Sequence, residues 1–214
     1  MNNTANLARI ERESFANTLV SVGPDAPTLC TGWNVRDLAA HVVLRERRPD
    51  AALGIMVPLL RNYTESIRRN YLDNEWSDLI QQVRLGPPNW NPMGWTALDN
   101  VVNLFEFFVH HEDVLRAGPN WEPRTLTPEL AQALMARLHD SAWLLWRRAR
   151  VGVILSDGAS SIVAKRPPKG AGIVTVSGSV SDLVLRSYGR SEVNIELDGA
   201  RHDLELFALT DLSI

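Results

Sequence analysis

Between Leu98 and Arg116, in a largely apolar run, Asp99, Asn103, Glu106, His110 and Asp113 form one polar stripe. Their steps of four, three, four and three place them along one side of an α-helix. No Lys or Arg breaks the stripe, whereas a solvated helix face usually mixes both signs. Apolar residues from Leu98 to Leu115 cover most of the remaining circumference, so this helix belongs inside a domain. Its acidic, His-bearing side should then face a cleft, a metal or water. Glu106 and His110 are one turn apart and can reach a common point. A lone histidine such as His41 is more often structural than a ligand, but Glu106 and His110 offer it partners. Two imidazoles and one carboxylate from two facing helices form a three-ligand set, which leaves a fourth zinc position open for water or substrate. Mixed N/O ligation also suits iron or nickel. Asp113 is expected one turn beyond His110, placed to hydrogen-bond an imidazole. His111 points about 100° away from His110 and is read as outside the ligand set.

These residues need helices to hold them. A first helix is predicted from about Thr4 to Val20, stopped by Gly23-Pro24-Asp25-Ala26-Pro27. Asn34 reads as the N-cap of a second helix, with Asp37 completing a capping box; His41 shares a side with Asp37 and Arg45. Pro49 ends that helix or starts the next turn. Helical material resumes near Pro58 and again from Trp76 to Leu85. The stretch Gly86 to Gly94, rich in Pro and Gly, is a loop or a lid carrying Trp90. The organising helix follows and stops at Gly118-Pro119. Thr127-Pro128 opens another helix that reaches about Ala149. This is the pattern of an antiparallel helical bundle.

After Arg150 the texture changes. Val151–Leu155, Ser161–Lys165, Ile173–Ser177 and Val193–Leu197 read as strands, with helices over Ser179–Tyr188 and Arg201–Leu209. The expected class is α+β: a helical bundle over residues 1–150 and a small α/β domain over 151–214.

The net charge of −3 gives no basic footprint for nucleic acid. The Arg-rich patches near Arg45 and Arg147 fit solvated helix faces. No signal peptide or bilayer-length apolar run is present, and the single cysteine, Cys30, forms no intrachain disulfide. The expected location is the cytoplasm, away from membranes. With no obvious activating histidine beside it in sequence, Cys30 is a weak candidate nucleophile.

The run from Cys30 through Gly32-Trp33-Asn34-Val35-Arg36-Asp37 to His41 resembles the N-terminal signature of the mycothiol-dependent maleylpyruvate isomerase-like family. That family is part of the wider DinB-like metal-binding bundle superfamily. Glu106-Phe-Phe-Val-His110-His-Glu-Asp113 resembles the family's Glu-x-x-x-His-x-x-Asp motif. The resemblance implies that His41, Glu106 and His110 bind a divalent metal, with zinc the leading choice. Ile173 to Arg190 resembles the family's sterol-carrier-like second domain. Overall, the chain looks closest to an actinobacterial branch with the doubled histidine. The implied reaction uses a low-molecular-weight thiol such as mycothiol on an electrophilic small molecule, as a transferase or isomerase. Arg190, with Arg186 next, is the candidate for holding substrate or thiol; Arg45 and Asp113 complete the catalytic candidates. Partners are then a small molecule and a thiol cofactor, with a homodimer left open. Two other classes compete: a metal-dependent hydrolase with Asp113 or Asp99 as base, and a non-catalytic metal- or ligand-binding protein.

Overall fold

The computed structural model describes residues 3–88 and 96–212. Trp90 and most of its loop lie outside them, and so does the side chain of Asp99. The chain divides into two compact units, residues 1–122 and 123–214.

The first unit is helical throughout. It comprises α1 (Asn3–Val22), α2 (Val35–Arg47), α3 (Pro49–Met56), a 3₁₀ turn (Pro58–Leu60), α4 (Arg61–Leu72), α5 (Trp76–Leu85) and α6 (Thr96–Leu115). Helix α2 starts as its capping residues dictate. The Asn34 side chain accepts from the Asp37 amide at 3.0 Å, and the Asp37 carboxylate accepts from the Asn34 amide at 3.1 Å. Phe15, Leu19, Val35, Leu38, Val42, Leu79, Val83 and Phe107 interlock in the core of this unit. Helix α1 packs along α6 and α5, while α2 meets α3, α4 and α5.

Pro49 does not merely end α2: it begins α3, where a first-turn proline loses no hydrogen bond. Helix α3 then approaches α4 closely at Gly54. A Cβ there would run into the Leu60 carbonyl and the Thr64 side chain. Gly54→Ala is therefore expected to destabilise the protein by about 1–3 kcal/mol, the usual range for overpacking. Urea denaturation checks this; an unchanged midpoint would mean that the two helices separate without cost.

The second unit contains α7 (Pro128–Leu145), β1 (Gly152–Ser156), β2 (Ser161–Lys165), β3 (Ile173–Gly178), α8 (Val180–Ser187), β4 (Ile195–Asp198) and α9 (Arg201–Ala208). The sheet order is β2-β1-β3-β4, with β1 parallel to β3 and both outer pairs antiparallel. Thr127 caps α7, with its hydroxyl accepting from the Leu130 amide at 3.3 Å. Helix α7 packs on α8 and β2 and buries Leu130, Leu134, Leu138 and Ala142. Thus α7 groups with the sheet, although the sequence texture changes only near residue 150. An apolar helix face shows that something covers it, not what does. Trp146, the C-cap of α7, stacks on Phe207 and donates to Ser187 Oγ at 3.0 Å. The last strand begins at Ile195 rather than Val193.

Candidate metal centre

Helix α6 is buried on nearly every side from Asn103 to Arg116; of these residues only Leu115 is exposed and Glu106 half-buried. Helix α2 brings His41 to it. Glu106 Oε1 lies 3.2 Å from His110 Nε2 and 3.5 Å from His41 Nε2. One ligand atom from each of the three residues falls within 4.8 Å of the others. A tetrahedral ion with ligand bonds of about 2.0–2.1 Å has ligand–ligand edges of roughly 3.3 Å, so these contacts fit the donor spacing.

Each candidate ligand is oriented by neighbours. The Asp113 carboxylate is fully buried, and its Oδ2 stands 3.0 Å from His110 Nδ1. That contact leaves His110 Nε2 directed at Glu106. The His41 ring packs against Trp33, with centroids 5.2 Å apart. On the other face of the site, Arg45 donates to Asn103 Oδ1 at 2.6 Å and holds Nε 3.5 Å from Glu106 Oε1. Asp113, Arg45 and the three predicted ligands thus meet in one place.

The charges are coupled. Burial disfavours charge on Glu106, but hydrogen bonds from His110 and His41 and the Arg45 charge outweigh it and hold the carboxyl well below its ordinary value. Burial opposes charge on His110 too. There the Asp113, Cys30 and Glu106 contacts prevail and raise its pKa well above the ordinary value of 6.5. His41 shifts down, first through burial, with Glu106 opposing and His110 and Arg45 assisting. These opposite shifts favour His110 over His41 as the protonated imidazole of the metal-free site. A metal must displace that proton, so affinity is expected to rise with pH through 6.5 and to level only above the raised His110 value. Calorimetric titration with zinc at several pH values checks this; a pH-independent affinity would exclude His110 Nε2 as a ligand.

His111 turns the other way. Its Nδ1 lies 2.9 Å from Glu11 Oε1 and its Nε2 2.8 Å from Thr18 Oγ1, so it joins α6 to α1. Arg190 belongs to the second unit, where its Nη1 donates to the Tyr188 carbonyl at 2.8 Å. Arg186 is partly buried there beside the Phe207 ring.

A cleft of about 460 Å³ opens beside His41, lined by Trp33, Arg61, Asn62, Thr64, Glu65 and Arg68 among others. Arg68 joins its wall to α2: Nη1 donates to Asp37 at 2.5 Å, its other nitrogens bind Glu65, and its guanidinium lies over Trp33. Glu65 is pulled down to about 2, chiefly by the Arg68 hydrogen bond. The sequence did not reveal Arg68, Trp33 as a contact of His41, or Cys30 as a contact of Asp113. The last two were in view inside the Cys30-to-His41 signature. Arg68 carried no sequence signal, since its i−3 pairing with Glu65 resembles any surface pair.

Residues 7–55 match the family described as the mycothiol maleylpyruvate isomerase N-terminal domain. The matched stretch contains His41 and ends before Glu106 and His110. Two solved structures resemble the chain. One is a histidine-to-alanine mutant of the mycothiol-dependent maleylpyruvate isomerase, at 18% identity and a TM-score of 0.62, covering 91% of each chain. The other carries the same enzyme name, at 20% identity and a TM-score of 0.56, again covering 91% of each chain. The chain shares their fold, and the family resemblance read from its motifs is supported. No curated protein sequence matches it.

Proposed function

We propose that this protein is a metal-dependent enzyme that uses a low-molecular-weight thiol, such as mycothiol, on an electrophilic small molecule, as an isomerase or transferase. The observation that carries this reading is the convergence of His41, Glu106 and His110 at metal-ligand spacing beside an open cleft. The family match and the solved structures supply the choice of thiol chemistry.

His41, Glu106 and His110 would hold the ion, and zinc suits two imidazoles and a carboxylate. Bound there, it would supply Lewis acidity that favours a thiol's reactive thiolate form. The chain's own residues do the rest. Asp113 orients His110. Arg45, aimed by Asn103, keeps positive charge beside Glu106 and would favour an anionic group at the site. The cleft admits a small molecule, and Arg61 on its wall suits a carboxylate on that molecule. Asp113 has no exposed surface and is bonded to His110 and Cys30, which favours a positioning role over that of a general base. Arg190 remains a candidate for substrate contact. Among the described residues, no helix is long and apolar enough to cross a membrane.

The test is metal analysis of tag-free protein followed by an assay with maleylpyruvate, with and without mycothiol. About one zinc per chain and turnover that needs both zinc and thiol are expected. Turnover without thiol would move the reaction to hydrolysis. Failure to take up zinc would remove the metal centre.

A further inference from the structure

Cys30 is not isolated. Its thiol donates to Asp113 Oδ2 at 3.2 Å, the same oxygen that faces His110 Nδ1. The Asp113 side chain has no exposed surface. A carboxylate shut away from water depends on its donors for orientation, and losing one loosens it.

The turn that presents Cys30 is fixed at several points. The Leu29 amide donates to the Asp113 carbonyl at 2.9 Å, tying the turn to α6. Thr28 Oγ1 accepts from the Cys30 amide at 3.1 Å and donates to the Trp33 carbonyl at 2.8 Å. Trp33 donates its amide to the Cys30 carbonyl at 2.9 Å, and Gly32 turns the chain at φ +78°. One short turn thus places Cys30 against the His110–Asp113 pair and Trp33 against His41.

We propose that Cys30 is a positioning residue of the metal centre: its S–H donates to Asp113 and thereby holds the His110–Asp113 pair in the arrangement that aims His110 Nε2 at the metal. The proposal rests on the metal-centre reading. It assigns Cys30 neither as nucleophile nor as ligand, although its sulfur, His110 and Asp113 also lie close enough together to form a donor group.

The experiment compares wild type with Cys30→Val, Cys30→Ala and Cys30→Ser. Zinc affinity is read by competition with a chromogenic chelator, urea unfolding of the metal-free forms is recorded alongside, and cobalt-loaded protein is examined by absorption. Outer partners of metal-bound histidines change affinity by about 10–100-fold, so Cys30→Val and Cys30→Ala should each weaken zinc about tenfold. Cys30→Ser, which keeps a donor, should stay within about threefold of wild type, because the donor and not the sulfur carries the effect. No thiolate-to-cobalt band should appear in the near ultraviolet. If Val and Ala leave affinity within twofold, or if Ser loses as much as they do, the proposal is overturned. A thiolate band that vanishes in Cys30→Ser would make Cys30 a ligand and overturn it equally. The Ala variant and the unfolding curves separate a lost donor from a damaged fold. Wild-type protein that binds neither ion would instead sink the metal-centre reading.

Discussion

His110→Ala is expected to strip the protein of its metal, while His111→Ala leaves metal binding nearly intact. The residues are neighbours on α6, yet they face opposite partners. His110 Nε2 meets Glu106, whereas His111 bridges Glu11 and Thr18. Structural zinc sites bind with about 10–16 kcal/mol, or roughly 3–4 kcal/mol per ligand. Losing one ligand should then cost about 10²- to 10³-fold in affinity. The His111 variant should fail differently. It removes the partner of Glu11, a side chain 3% exposed, and opens space beside Phe15. A stability loss of about 2–4 kcal/mol is expected from breaking a buried charged contact. Metal analysis and urea unfolding of both variants separate the two effects. Equal metal loss in both would mean that the pair exchanges roles when an ion binds.

Glu106→Gln is expected to weaken metal binding about 10²-fold or more while leaving the helices folded. The carboxylate is the point where His41, His110 and Arg45 converge. An amide keeps the shape but gives up the charge that attracts a cation. The side chain is 24% exposed, so the fold does not depend on packing it. The effect on the metal-free protein has a definite sign. The Glu106 carboxyl titrates well below its ordinary 4.5 in the folded state. Its stabilising share is therefore complete above that value and is lost as pH falls through the lower folded one. The variant should lack this share at neutral pH and show a flatter loss of stability on acidification below 4.5. Unfolding curves between neutral pH and acid read this directly, beside the zinc titration. Unchanged zinc affinity would remove Glu106 from the ligand set, and an unchanged acid profile would mean its charge is solvated.

Much of this site is readable before folding because helices repeat. The spacing of Asn103, Glu106, His110 and Asp113 fixes a common face whatever surrounds α6, and Asn34 with Asp37 fixes the start of α2 through local hydrogen bonds alone. The i,i+4 pair of Glu112 and Arg116 is local in the same way, with 2.7 Å between their charged atoms. The turn between Thr28 and Trp33 shows a Gly that tolerates positive φ, but not the direction in which its side chains leave. Packing alone decided that Cys30 reaches a carboxylate 83 residues away, that Arg68 closes on Asp37, and that His111 is consumed by α1. The same holds for α7, whose apolar face would serve a bundle as well as a sheet until β2 and α8 are in place. Periodicity and capping are encoded within a few residues. Contacts between distant segments depend on which buried surfaces fit together, and no local pattern carries that information.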